Sequence, residues 1–242
     1  MIILILVSSL PLIASYVWFR AAKYQFSLHR FLLALLAGAA AFFPALILQD
    51  MLSFSFHSGR TALFFHHFVR IALTEEISRL ILLLIFFLIS SFFISRTSGQ
   101  SARQPLSINM IKKATATGFI AGLGFALLEN AVYAAADINV LPLRVIFTAA
   151  VHAACGSRIG AAAVMLRSNP FQAILRVITA VAIHGIYNMM ITMPGFAPLA
   201  AILIAVSALV TAILAIRGGW SDDTAKLPAD TPLDKDNENS VG

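Results

Sequence analysis

The chain has 242 residues, 60% of them hydrophobic and only 12% charged. Soluble domains carry about 25% charged residues, and disorder needs low hydrophobicity with high net charge, so a water-soluble globule and a disordered chain are both excluded. The formal net charge of +6 does not point to nucleic acid, because the basic residues fall between apolar runs, where they read as membrane topology and headgroup contact.

A membrane-spanning helix needs about 20 apolar residues to cross a hydrocarbon core of about 30 Å. Residues 1–20 lack a basic leading region and close on Trp18, Phe19 and Arg20 like an interfacial anchor, so they are expected to be a retained first span and not a cleaved leader. Further spans are expected at 30–50, 65–94, 114–136, 143–166, 172–193 and 196–217, the third long enough to tilt or to begin in the outer interface. Met193-Pro194-Gly195 makes a tight stop between the last two. The expected fold is an all-α, polytopic transmembrane helix bundle of about seven spans covering residues 1–217. Residues 218–242 hold six of the 11 acidic residues (Asp222, Asp223, Asp230, Asp234, Asp236 and Glu238) and are expected to form a flexible, solvated acidic tail.

The loops at 20–30, 95–113 and 167–176 carry Arg20, Lys23, Arg30, Arg96, Arg103, Lys112, Lys113, Arg167 and Arg176, whereas the alternate loops near 51–64, 137–142 and 193–195 carry Arg60 alone. The positive-inside rule then puts the N-terminus outside and the tail in the cytoplasm. One cysteine, Cys155, excludes an intramolecular disulfide and a cysteine-based zinc cluster. Two G-x-x-x-G pairs, Gly118/Gly122 and Gly156/Gly160, read first as close helix packing.

An ionisable side chain at mid-bilayer costs about 2.5–3.5 kcal/mol on insertion scales and is a functional hypothesis by default. Within the expected spans the strongly polar set is Glu75, Glu76, Arg79, Glu129, Asn130, His152, Arg158, His184 and Asn188. On a helix Arg79 reaches Glu75 at i,i+4 and Glu76 at i,i+3. One buried ion pair explains one glutamate comfortably; a second in the same turn calls for a function. Glu129 has no basic residue within a turn of its own helix, so a partner must come from elsewhere or the group must be neutral. His184 and Asn188, at i,i+4, share a face. Counted from the outer ends, Glu76 lies about 11 residues in, Glu129 about 7, and His152 and His184 about 9, which agrees to within a helical turn at 1.5 Å per residue. Four spans therefore place their polar groups in one layer of the outer half of the membrane.

Carboxylates and imidazoles in a dry layer can activate a water, with one glutamate as general base, while histidine and asparagine donors stabilise an oxyanion. Two histidines and a glutamate also suit Zn2+ or another divalent metal with water in the fourth position. No H-E-x-x-H is present.

The four elements E-E-x-x-R at Glu75–Arg79, F-x-x-x-E-N at Phe125–Asn130, H-x-x-x-G at His152–Gly156 and H-x-x-x-N at His184–Asn188 resemble, in order and in helix placement, the motif series of PrsW-type intramembrane proteases, a family related to the type II CAAX prenyl protease and bacteriocin-processing group. The resemblance covers about residues 60–195. It implies hydrolysis of a peptide bond in or beside a bacterial inner membrane, in a membrane-anchored substrate such as a single-pass, anti-sigma-factor-like regulator. It also implies that Glu75 and Glu76 are the catalytic pair, one of them the base, that Glu129 and His152 bind or polarise the water or a metal, and that His184 and Asn188 bind metal or form the oxyanion hole. If a metal is used, its expected ligands are His152, His184 and Glu129. Such chains commonly show Lys where this one has Arg79, which keeps the charge and changes the hydrogen-bond geometry. The resemblance leaves metal-dependent and glutamate-dependent hydrolysis both open.

Two other readings compete. A proton- or ion-coupled transporter would also use buried Glu and His residues, although no internal duplication is visible. A silent membrane scaffold would lose only folding when Glu75 or Glu76 is neutralised. His66 and His67 are expected to be solvated at the outer entrance, and Cys155 to be a packing residue.

Overall fold

Large apolar side chains crowd the outside of this molecule. Leu36, Phe43, Ile47, Leu88, Phe171 and Leu203 are all exposed, which a water-soluble monomer does not sustain over so much surface and a lipid-facing one requires. The computed structural model describes residues 2–24, 26–53, 59–98 (side chains to residue 90) and 106–217. The acidic tail expected at 218–242 lies outside the described residues.

All described elements are helical. α1 (Ile2–Ser8) and α2 (Leu10–Ala21) make one span broken at Ser9, whose hydroxyl donates to the Leu6 carbonyl at 2.7 Å, with Pro11 in the first turn of α2. α3 (Leu28–Met51) is capped by Ser27, which accepts from the Arg30 amide. α4 (Arg60–Phe64) runs into a π-helical segment, Phe65–Leu73, and then into α5 (Thr74–Ser98). α6 (Ile108–Ala136) is capped by Ser107. A 3₁₀ turn at Ile138–Val140, the short α7 (Leu141–Leu143) and a second π segment, Arg144–Thr148, lead into α8 (Ala149–Met165). α9 (Pro170–Ile191), capped by Asn169, and α10 (Ala197–Ile216) complete the bundle.

Six helices among the described residues are long and apolar enough to cross a membrane, at 2–21, 28–51, 108–136, 138–165, 170–191 and 197–216. They coincide with six of the seven expected spans. The remaining expected span, 65–94, is built from the first π segment and α5, which packs against α3 and α8. Its first nine residues, Phe65–Leu73, are π-helical, which hydropathy cannot register.

The centre of the bundle is the α6–α8 pair, and glycine makes it. Without a hydrophobic driving force in lipid, helices associate through close van der Waals packing. Gly118 abuts the Gly156 carbonyl, Gly160 abuts the Ala114 carbonyl, and a Cβ at Gly122 would collide with the His152 carbonyl. Gly38 and Gly124 do the same for α3 against α6, meeting the carbonyls of Ala121 and Leu35. These contacts are backbone against backbone, so they cannot be relieved by rotating a side chain.

Gly122→Leu is therefore expected to lower the thermal stability of the detergent-solubilised protein by about 1–3 kcal/mol or more, as overpacking does. Leu203→Ala on the lipid-facing side of α10 is expected to stay within about 0.5 kcal/mol. Thermal melting of the two variants side by side checks the contrast.

Candidate active site

The site begins where the first π segment gives way to α5. There the Thr74 hydroxyl donates to the Arg70 carbonyl at 2.7 Å and lies 2.9 Å from that of Ile71. The next residues, Glu75 and Glu76, point inward from the first turn of α5 and are buried, as is Arg79 one turn on. α6 brings Phe125 and Glu129, α8 brings His152, and α9 brings His184. Gly185, beside His184, lets Phe68 of the π segment close on α9; a Cβ there would meet the Phe68 ring at 2.6 Å.

Arg79 links the helices. Its Nη2 lies 2.9 Å from Glu76 Oε1, 3.6 Å from Glu75 Oε2 and 3.1 Å from His152 Nδ1, and its Nη1 lies 3.5 Å from the His152 carbonyl. The guanidinium also sits over the Phe125 ring, 4.7 Å from its centroid. An arginine only donates, so His152 Nδ1 must accept. The ring proton is then on Nε2, which donates to Glu129 Oε2 at 2.6 Å. By the same logic His184 Nδ1 carries a proton and donates to Glu76 Oε1 at 2.8 Å. Each imidazole thus has one nitrogen held by a carboxylate, the arrangement that fixes tautomer and orientation in metal-binding histidines.

His184 Nε2, which makes no hydrogen bond among the described residues, and His152 Nδ1, which accepts from Arg79, both face one oxygen. Glu75 Oε2 lies 3.7 Å from His184 Nε2 and 4.0 Å from His152 Nδ1, and the rings stand 4.9 Å apart. This oxygen is buried and has no hydrogen-bond partner. An orphaned carboxylate oxygen in such a place costs free energy unless something positive meets it. Three carboxylates also confront two guanidiniums, so with all acids ionised and both imidazoles neutral the cluster carries one net negative charge. Metal–ligand bonds of about 2.0–2.1 Å in a tetrahedron put ligand atoms about 3.3 Å apart. Glu75, His152 and His184 form a group with metal-ligand potential among the described residues, their ligand atoms within 4.8 Å of one another; to hold a metal they would draw closer and Arg79 would release His152 Nδ1.

The expected site residues are therefore distributed unevenly. Glu75, Glu76, Glu129, His152 and His184 meet. Glu129, expected among the metal ligands with His152 and His184, instead stands behind His152 on its far nitrogen, and Glu75 occupies the position facing both rings. The reason is local: Glu129 Oε1 is drawn to Arg144 Nη2 at 2.8 Å, a partner from another helix, which is one of the two alternatives the sequence leaves open. Asn188 is half-buried and its side chain makes no hydrogen bond to the cluster among the described residues; its carbonyl accepts from Thr192 Oγ1 at 3.4 Å. His67, expected to be solvated, is buried, with Nε2 3.4 Å from Thr192 Oγ1. Cys155 is buried against the Ala180 carbonyl at 3.4 Å, as packing predicts.

Two further residues take part in the site. Arg144, in the second π segment, donates from Nε to Asn130 Oδ1 at 3.1 Å, accepts from Asn130 Nδ2 on its carbonyl at 3.3 Å, and stacks 3.8 Å above the Tyr133 ring. Its signal was an arginine just inside the outer end of an expected span, across a short turn from Glu129. Gln49, near the end of α3, donates to Glu75 Oε1 at 3.0 Å; a single glutamine at a span boundary gives no such signal.

A family model described as PrsW family intramembrane metalloprotease matches residues 27–216. No curated protein and no solved structure matches the chain.

Removing Arg79 leaves buried carboxylates uncompensated, which costs about 3–5 kcal/mol for a buried pair. Arg79→Ala is accordingly expected to unfold at clearly lower temperature than wild type in detergent. Arg79→Lys is expected to recover much of that loss, because the charge beside Glu76 survives, but not the forked contact to His152. Equal melting temperatures for all three proteins would contradict the bridging role.

Proposed function

Because the chain belongs to the PrsW family of intramembrane metalloproteases, and so is an intramembrane protease, we propose that it makes the first, site-1-type cut in a membrane-anchored, single-pass regulator of the anti-sigma-factor kind. The protein is integral to the membrane. In the proposed setting, a bacterial inner membrane with the N-terminus outside and the tail in the cytoplasm, the site opens toward the extracytoplasmic half of the bilayer. The single observation that supports the chemistry best is the partnerless Glu75 Oε2 facing two imidazole nitrogens.

In this reading Glu75, His152 and His184 would hold the metal, Zn2+ or another divalent ion. When bound, it supplies Lewis-acid polarisation and lowers the proton affinity of a water. The chain's own groups do the rest. Glu76 shares Oε1 between Arg79 and His184, while its Oε2 is buried without a hydrogen-bond partner. It is the proposed base. Its Oε2 takes a proton from the attacking water, the water oxygen bonds to the scissile carbonyl carbon, and the C–N bond breaks as the proton passes to the leaving amine. Glu129 keeps His152 in the Nε2–H tautomer, and Arg144 holds Glu129 in place. Asn188, a turn beyond His184 on the same face, is proposed as a donor to the substrate carbonyl. The transport reading is not favoured, since the family is one of proteases.

Purified protein with a single-pass substrate tests this. Glu75→Gln, Glu76→Gln and His184→Ala are each expected to slow cleavage by about 100-fold or more, the scale of a lost acid–base or electrostatic group. A chelator is expected to stop the wild type, and added Zn2+ to restore it. Undiminished cleavage by all three variants would overturn the assignment, and indifference to the chelator would overturn the metal.

A further inference from the structure

The three carboxylates of the cluster are held in two different ways. Glu76 and Glu129 each face a guanidinium below 3 Å, Arg79 at 2.9 Å and Arg144 at 2.8 Å, so their charges are met within the protein. Arg79 stands off from Glu75 at 3.6 Å. Its closer partner is a neutral amide: Gln49 Nε2 donates to Oε1 at 3.0 Å. Gln49 is in turn fixed from behind, because its carbonyl accepts from Arg70 Nε at 2.9 Å. Arg70 belongs to the π segment that ends just before Glu75, so the brace and the braced residue are tied to the same helical junction. Gln49 itself sits on α3, 26 residues before Glu75 and outside all four sequence elements of the site.

We propose that Gln49 is a positioning residue for the metal: its amide holds Glu75 Oε1 so that Oε2 is the oxygen turned to His184 Nε2 and His152 Nδ1. This rests on the metal-site reading above. The last torsion of a glutamate is broad and two-fold, so an unbraced carboxylate exchanges its oxygens and swings away from the imidazoles. One directional donor on Oε1 removes that freedom. A neutral donor does so without cancelling the negative charge that a cation needs, which a lysine or arginine at this position would do. Glu75 is then the cluster's carboxylate with its charge kept for the metal, and Gln49 is what aims it. Outer partners of this sort typically contribute 10–100-fold in metal affinity or activity.

The test uses the full chain in detergent, stripped of metal and titrated with Co2+, whose visible absorption reports the ligand geometry. Gln49→Met keeps the length of the side chain and removes the donor; Gln49→Asn keeps the amide and shortens its reach. Both are expected to bind Co2+ about 10–100-fold more weakly than wild type, with an altered spectrum and with wild-type helix content by circular dichroism. In cleavage assays kcat is expected to fall while KM stays within about two-fold, since the residue does not touch substrate. If one variant fails to fold, the other carries the comparison. Wild-type affinity and spectrum in a folded variant would overturn the role of Gln49 while leaving the metal site standing. Absence of Co2+ binding by the wild type would overturn both.

Discussion

The constraint on which this structure depends is that a charge in the middle of a bilayer must be met by another group. Arg79 carries that burden. Fully buried, it holds Glu76 on its own helix and His152 on α8 while resting on the Phe125 ring of α6. Three helices are thereby fixed around one guanidinium. The second arginine, Arg144, closes the far side of the cluster by binding Glu129 and Asn130. With all acids ionised and both imidazoles neutral, one negative charge is left over in the same cluster as Glu75, whose Oε2 makes no hydrogen bond.

Close backbone packing makes this geometry achievable. Because Gly122 lets α6 touch the carbonyl of His152, Glu129 on α6 lies within 2.6 Å of the His152 ring on α8. Because Gly185 admits the Phe68 ring, the π segment leans on α9 beside His184. The two π segments, Phe65–Leu73 and Arg144–Thr148, lie immediately upstream of the turns that carry Glu75 and His152. π turns are rare and are found mostly at functional sites, where the extra residue turns side chains that a regular helix would aim elsewhere.

Much of this was legible in the sequence. The apolar runs and Pro-Gly stop delimited the spans, because span length is set by bilayer thickness and by little else. The common depth of Glu76, Glu129, His152 and His184 marked one layer, because helical rise is constant. What stayed hidden depended on rotation and on partners. Depth does not say which carboxylate faces which ring, and Glu129, one of the expected metal ligands, lies behind His152 on Nε2. Sharing a helical face with His184 did not bring the Asn188 side chain into the hydrogen-bonded cluster. The π geometry shifts register by one residue without changing hydropathy, and Gln49 is visible only once α3 is seen to end beside α5.

The central claim is that Glu75, His152 and His184 converge on a single cation through Oε2, Nδ1 and Nε2. X-ray absorption at the metal edge of the purified, metal-loaded protein tests it most directly. One metal per chain is expected, with two imidazole nitrogens and carboxylate oxygen at about 2.0–2.2 Å, and with loss of one imidazole from the spectrum in His184→Ala. A metal bound without imidazole, or a spectrum unchanged in His184→Ala, would contradict it.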